Sequence, residues 1–429
     1  MIEAPFTLPC GAALPNRLAK AAMTEGLATM AGMPTPELER LYAKWSEGGA
    51  GLLLSGNVQI DRDHLERPGN VIVERAPDAE MKAALARWAK AGTAAGNHFW
   101  MQIAHAGRQT QADVNPHPRA PSAVGIDLPG GRFGTPVALT EPEILDLVDR
   151  FANAAVAARE AGFTGVQLHA AHGYLLSQFL SPRSNRRDDA WGGSLENRAR
   201  MLLEAVRKTR AAVGADFPVA VKLNSADFQK GGFDFEESLA VAKWLAEAGI
   251  DLLEISGGSY EQPKMMDLEG LEAAEDQHVA ASTAAREAYF VDFAKAMRAE
   301  VAMPLMVTGG FRSRAAMEHA LATGAADVIG LGRPMCVATD SPARLLGGAA
   351  ELDRWEQRLH LFNGPLAFLR RFRMMKAMDG FGVMSWYYAQ LYSIGRSGAP
   401  DPGRSVFSAV REVEAKHKAL LAGRHKAAA

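Results

Sequence analysis

The 429-residue sequence predicts an α/β fold: a (β/α)₈ barrel of the TIM type followed by a mainly helical C-terminal extension. Three observations carry this. Short apolar runs alternate eight times with segments of helical spacing, the pattern of a parallel sheet whose strands are linked by helices. Most of these runs are apolar throughout, as expected of strands buried on both faces. Several helical segments stop at a glycine (Gly48, Gly96, Gly162, Gly214, Gly249 and Gly324), the residue that most readily ends a helix. A doubly wound sheet is the alternative, but no glycine fingerprint opens the first helix.

Taken in order, the strands are Leu18–Met23, Gly51–Ser55, Phe99–Ile103, Gly165–Leu168, Val219–Leu223, Leu252–Ile255, Leu305–Thr308 and Val328–Leu331. The helices are Thr35–Glu47, Ala79–Ala95, Glu141–Ala161, Ser194–Val213, Glu236–Ala248, Arg286–Arg298 and Arg314–Ala322. Thr140-x-x-Glu143 forms a capping box, and Ser194 is a capping residue. Two connections are long. Ala104–Leu139, rich in Pro and Gly, is expected to fold over the catalytic face, and Ser256–Ala285 to form a partial lid. The barrel pattern ends near Pro342, which divides the chain into a barrel at 1–342 and an extension at 343–429, packed on or beside it. Helical spacing continues through Leu359–Met378, Ser405–Leu421 reads as a last helix, and Lys426–Ala429 reads as disordered. The extension either covers a barrel end or builds a contact in a homo-oligomer; exposed aromatics there would favour the second.

Composition excludes several classes of function. With 47 Lys and Arg against 49 Asp and Glu, the formal net charge is −2, so no basic footprint points to nucleic acid. No apolar run reaches the roughly 18 residues of a membrane span. The first residues show no basic start followed by an apolar run, so no signal peptide is expected. Cys10 and Cys336 are far apart and cannot alone build a zinc or iron–sulfur site. A reducing cytoplasm is the expected location.

Gly165–Arg200 is the most informative stretch. A short buried strand is followed at its carboxyl end by His169, His172 and Tyr174, and that end of a parallel α/β fold is where chemistry occurs. Two polar donors and a phenol can grip a carbonyl oxygen and deliver a proton. A metal reading of His-x-x-His needs a third ligand, and the motif offers no obvious carboxylate. Thr308-Gly309-Gly310 and Gly330-Leu331-Gly332-Arg333 end the last two strands, where backbone N–H groups of a barrel often meet a phosphate. Tight strand–helix turns would use the same glycines. Lys222 ends an apolar run, where an unpaired ammonium is costly; a cofactor that gains negative charge would partner it. Gln102, at the end of the third strand, suits a pyrimidine-like edge, and equally a satisfied core amide.

PNRLAKAAMTEG at Pro15–Gly26, QIAHAGRQ at Gln102–Gln109 and LHAAHGYLLSQFLSPRSNRRDDAWGGSLENRAR at Leu168–Arg200 resemble the old yellow enzyme (NADH:flavin oxidoreductase) family, and TGG and GLGR complete the match. The resemblance spans Pro5 to Pro342. It implies an FMN-containing (β/α)₈ barrel reduced by NADPH or NADH. Carried over by motif, Ala22, Met23 and Thr24 line the flavin, with Thr24 near its C4 carbonyl and N5, where a hydroxyl tunes the potential. Gln102 reads the pyrimidine edge. Lys222 stands where the family usually has arginine; it keeps the charge near N1 but loses the planar fork. Gly309, Gly310, Gly332 and Arg333 match the phosphate clamp. Gly56-Asn57 departs from the Gly-Gly or Glu-Ala pair of many members, which leaves a flavin contact by Asn57 open. His169 and His172 match the pair that binds the substrate carbonyl, and Tyr174 matches the proton donor.

The resemblance implies an ene-reductase: NAD(P)H reduces FMN, an activated alkene such as an enone then takes the hydride at its β carbon, and the two half-reactions share one place on the flavin in ping-pong order. A flavin oxidoreductase of another reaction type (oxidative demethylase, dehydrogenase or nitro-compound reductase) is the alternative, and a catalytically silent flavin-binding barrel is a third. No cysteine cluster or GxGxxG follows the barrel, unlike in the dienoyl-CoA reductase type, so no iron–sulfur centre is expected. Asp188, Asp189, Trp191 and the SLENR helix start read as structural. The Arg370–Arg373 run reads as a solvated face, an oligomer contact or a cofactor-tail contact from a neighbouring subunit, with a solvated or interface role as the default.

Overall fold

In the computed structural model, which describes residues 1–126, 131–257, 291 and 293–428, eight parallel strands close into a barrel. The strands are β1 (Leu18–Lys20), β2 (Leu52–Leu54), β3 (His98–Ala104), β4 (Gly165–Ala170), β5 (Val219–Asn224), β6 (Leu252–Ser256), β7 (Leu305–Thr308) and β8 (Val328–Leu331). Each pairs in parallel with its neighbours in sequence, and β8 closes the ring on β1.

The strand period of two sorts their side chains. Leu53, Phe99, Met101, Val166, Leu168, Val219, Val221, Leu253, Leu305, Val307 and Ile329 join one buried cluster with the surrounding helices. The alternate residues Ala19, Leu52, Leu54, Trp100, Ala220, Leu252, Met306 and Val328 form a second cluster, the barrel's own interior. Two residues further along four of the strands, β3, β5, β6 and β7, this second set becomes polar. Trp100 is followed by Gln102, Ala220 by Lys222, Leu252 by Glu254 and Met306 by Thr308. The same alternation that fills the lower barrel therefore sets polar groups at its upper, carboxyl end. Register keeps them level: Gln102 lies opposite Gln167, and Lys222 opposite both His169 and Glu254.

The helices between strands sit within a residue or two of the expected positions, except that the second stops at Gly92 rather than Ala95. Thr140 and Glu143 make the capping box, and the Ser194 hydroxyl accepts from the Asn197 N–H. The expected lid falls mostly on residues 258–285, outside the described residues, as does the start of the helix expected at Arg286–Arg298. The long third loop is tied down: Arg108 donates to the Gly125 carbonyl at 3.0 Å, and Arg119 pairs with Glu143 at 3.0 Å. Arg198 pairs with Glu237, and Arg187 with Asp189, so the SLENR region is held as a structural unit.

The extension departs from expectation. A helix read over Leu359–Met378 is instead an irregular stretch with a 3₁₀ turn at Gly364–Arg371, followed by a helix at Arg373–Ser397. Pro365, with no N–H to donate, suits only the first turn of a helical segment. The buried Asp379 carboxylate accepts from the Leu361 N–H at 2.6 Å and the Phe362 N–H at 3.2 Å, tying the irregular stretch across the helix. The last helix, Val406–Ala428, runs through most of the tail expected to be disordered. The first extension helix packs on Pro36–Glu47, and Trp386 is fully buried, donating to the Arg404 carbonyl at 2.8 Å. Leu366, Phe368, Phe372, Met374, Met378 and Phe381 remain exposed.

Candidate active site

One cavity at the carboxyl end of the barrel gathers Ala22, Met23, Thr24, Gln102, His169, His172, Tyr174, Lys222, Gly309, Gly310, Gly332 and Arg333, every residue the sequence singled out for the site. Asn57 joins them and donates to the Thr24 hydroxyl at 3.4 Å.

His169 lies within β4, which runs on to Ala170, two residues further than expected. Its Nδ1 accepts from the Ala171 N–H at 3.2 Å, so the neutral ring carries its proton on Nε2. His172 follows on a backbone with φ 63, a left-handed conformation uncommon for a residue other than glycine. The Asn224 side chain holds that turn by accepting from the His172 N–H at 3.1 Å. The His172 Nε2 lies 2.6 Å from the Ser256 hydroxyl. A serine that donates there leaves Nδ1 to carry the His172 proton. Burial, then the nearby Lys222 charge, holds both imidazoles well below the usual histidine pKa, so both are neutral donors. The His169 ring stands edge-on to those of His172 and Tyr174, with centroids 5.0 and 4.8 Å apart. Three proton-bearing groups thus face one buried volume.

Lys222 does not wait for a cofactor to neutralise it. Its Nζ lies 2.9 Å from the Glu254 carboxylate on the next strand, and both side chains are buried. The reasoning that an unpaired ammonium needs a partner holds, but the partner is a residue of the chain. Opposite, Gly309 and Gly310 have φ of 146° and 73°, and side chains rarely adopt such conformations. The buried Thr308 hydroxyl just before them makes no hydrogen bond within the protein.

This donor set fits an FMN. A glycine-lined end with Arg333 suits the phosphate, an amide at Gln102 suits the pyrimidine edge, and Thr24 with Lys222 suits the polar rim of the ring.

Sequence reasoning missed part of the wall. Met384, Tyr387, Tyr388 and Leu391, one face of the first extension helix by their i, i+3, i+4, i+7 spacing, also line the cavity. Tyr387 donates to Glu356 at 3.0 Å, and Glu356 pairs with Arg312 at 2.8 Å. The Arg67 guanidinium stacks 3.9 Å from the centre of the Tyr388 ring. The spacing was present in the sequence, but expecting the helix to end at Met378 hid it. Ser256 and Glu66 also line the cavity and carried no motif.

Among the described residues, Asp61, His64 and His105 bring ligand-type atoms within 4.8 Å of one another. Their tautomers oppose a metal. The outward His64 Nε2 and His105 Nδ1 accept backbone N–H groups of Arg119 and Gly107, at 2.7 and 3.0 Å. Each neutral ring must then carry its proton on the nitrogen turned to Asp61, whereas a metal-bound imidazole donates its outer N–H. Arg150 lies 3.5 Å from the same carboxylate oxygen. Burial opposes the Asp61 charge, but His105 and His64 hold its pKa far below the usual carboxylate range. The cluster pins the third loop.

A closed parallel barrel whose carboxyl end joins glycine turns to a histidine pair and a tyrosine defines a flavin-dependent oxidoreductase of the TIM-barrel class. Residues 3–350 match the family model described as NADH:flavin oxidoreductase / NADH oxidase family. The chain belongs to that family, with FMN as cofactor and a nicotinamide nucleotide as reductant. It is 36% identical over 409 residues to the NADH-dependent flavin oxidoreductase iccE of Talaromyces variabilis, covering 92% of this chain and 98% of that one. It is 38% identical over 353 residues to iliE of Hypocrea jecorina, covering 78% and 86%. The iliE of Neonectria sp. is 40% identical over 349 residues, but these span only 45% of that longer protein and 78% of this chain. Among solved structures, the old yellow enzyme homologue from Zymomonas mobilis superposes with a TM-score of 0.67 and 27% identity, covering 83% of this chain and 95% of that one.

Proposed function

We propose that this enzyme reduces the carbon–carbon double bond of α,β-unsaturated carbonyl compounds. The observation that carries the reading is the neutral His169–His172 pair beside Tyr174, in the same cavity as the glycine turns, Gln102 and Lys222. Held by the glycine turns, Arg333, Gln102, Thr24 and Lys222, FMN would supply the hydride chemistry, with NADH or NADPH as the source of the reducing equivalents.

The protein's part follows from electrostatics. As hydride adds, negative charge builds on the substrate's carbonyl oxygen. His169 and His172 bind that oxygen, and two preorganised N–H donors bind it most tightly when the charge is greatest. Tyr174 gives its proton to the α carbon. The cavity wall excludes water and strengthens each of these interactions. Because nicotinamide and alkene use the same place, turnover is ping-pong. Asn57 acts by holding the Thr24 hydroxyl, so the departure at Gly56-Asn57 supports the flavin rim rather than breaking it.

The test is the anaerobic absorbance spectrum of the purified enzyme, first with NADH or NADPH and then with 2-cyclohexenone. Bleaching followed by recovery is expected. Bleaching without recovery would reject the enone and favour demethylase, dehydrogenase or nitro-reductase chemistry.

A further inference from the structure

Beneath the cavity lies a carboxylate that no motif marked. Glu254, at an inward position of β6, is fully buried. One of its oxygens is 2.9 Å from the Lys222 ammonium. The other accepts from the Gln167 amide at 2.8 Å, and the Gln167 carbonyl accepts from the Gln102 amide at 2.7 Å. A carboxylate can only accept, so the direction of the chain is forced. Gln167 must turn its N–H to Glu254 and its carbonyl to Gln102. Gln102 must then spend one N–H on Gln167 and keep its carbonyl oxygen and second N–H for the cavity, which it lines together with Lys222.

We propose that Glu254 is a positioning residue for the flavin, acting through both neighbours: it neutralises Lys222, and through Gln167 it sets which edge Gln102 presents. This rests on the reading that the flavin ring lies against Gln102 and Lys222. Two-electron reduction adds negative charge to that ring. A lone buried Lys222 would favour the added charge strongly, whereas a Lys222–Glu254 pair carries no net charge and favours it far less. Glu254 thereby keeps the bound flavin a strong hydride donor. It also explains how lysine serves in place of arginine: a point charge lacks the fork that orients itself, and a fixed carboxylate orients it instead.

The experiment measures the two-electron midpoint potential of the FMN-loaded enzyme by dye equilibration, in wild type, Glu254→Gln, Lys222→Met and the double variant. Glu254→Gln leaves one uncompensated positive charge, and should shift the equilibrium toward the reduced form by tenfold or more, or about 30 mV for a two-electron couple. Lys222→Met should shift it the other way, and the double variant should return close to wild type because the pair is removed as a unit. Glu254→Asp keeps the charge and should also stay close to wild type. A Glu254→Gln enzyme with full FMN and an unshifted potential overturns the proposal. Where Glu254→Gln does not retain FMN, the double variant decides: a tenfold departure from wild type overturns the proposal, and a wild-type value supports it. Wild-type protein that binds no FMN would instead defeat the cofactor reading beneath it.

Discussion

Replacing His169 with alanine should weaken the binding of a para-substituted phenol, an enolate mimic that gives a long-wavelength charge-transfer band in this family. His169 is 3% exposed, so a ligand oxygen there has no water to replace a lost donor. Its Nδ1 is taken by the Ala171 N–H, so the loss is one N–H···O bond, from Nε2 to a phenolate. Hydrogen bonds to charged groups are worth about 1.5–3 kcal/mol net. At about 1.4 kcal/mol per decade this makes Kd roughly 10- to 150-fold weaker. His169→Asn, which keeps a donor on a shorter arm, should recover part of the loss. Titration of the band in the oxidised enzyme measures Kd directly. Both imidazoles are held neutral by burial, so between pH 6 and 8 the affinity should follow only the phenol's own ionisation. A Kd for His169→Ala within twofold of wild type would refute the assignment, and a second inflection near pH 6.5 would refute the neutral pair.

Tyr174→Phe should slow alkene turnover by about 10²–10⁴-fold while leaving flavin reduction by NADH within a few-fold, as stopped-flow of the two half-reactions would show. Ser256→Ala removes the partner that orients His172 across 2.6 Å, and should lower kcat for the enone by about tenfold without changing FMN content. Lys20 is fully buried between Tyr42, Trp45 and the Leu54 carbonyl, and burial lowers its pKa to about 8. The unfolded chain therefore holds more protons between pH 8 and 10.5, and folding stability gains with rising pH in that window. Denaturant titrations should show wild type gaining roughly 3 kcal/mol relative to Lys20→Met between those pH values. The exposed Phe368 and Phe372 predict self-association, and sedimentation velocity should show a smaller species for the paired substitution of both by Asp.

The barrel was legible because its strands are short, apolar and evenly spaced, and because glycines and capping residues bound the helices. The site was legible where residues sit in a long motif, as His169, His172 and Tyr174 do, or where glycine pairs end strands. Lys222 was legible as a charge out of place, but its partner was not: Glu254 lies 32 positions away in sequence and meets it only through the β5–β6 register. The cavity wall from Met384 to Leu391 was hidden for a related reason. Helical spacing shows that a face exists without showing what it faces, and the turn at Pro365 shifts the helix to Arg373–Ser397, well beyond Met378.

That wall has a consequence for how such enzymes diversify. In the proposed reading the residues on the barrel rim share one ligand, so a change at one strains the others. The helix bearing Met384, Tyr387, Tyr388 and Leu391 reaches the same cavity from outside the ring, anchored by Arg67 and Glu356 rather than by strands. Selection can therefore remodel the substrate's surroundings by altering an appended helix while the redox machinery stays untouched. For protein engineers the corollary is practical: a catalyst trimmed back to its barrel loses a side of its own binding chamber, and swapping this single helix between relatives is the economical way to vary what the chamber accepts.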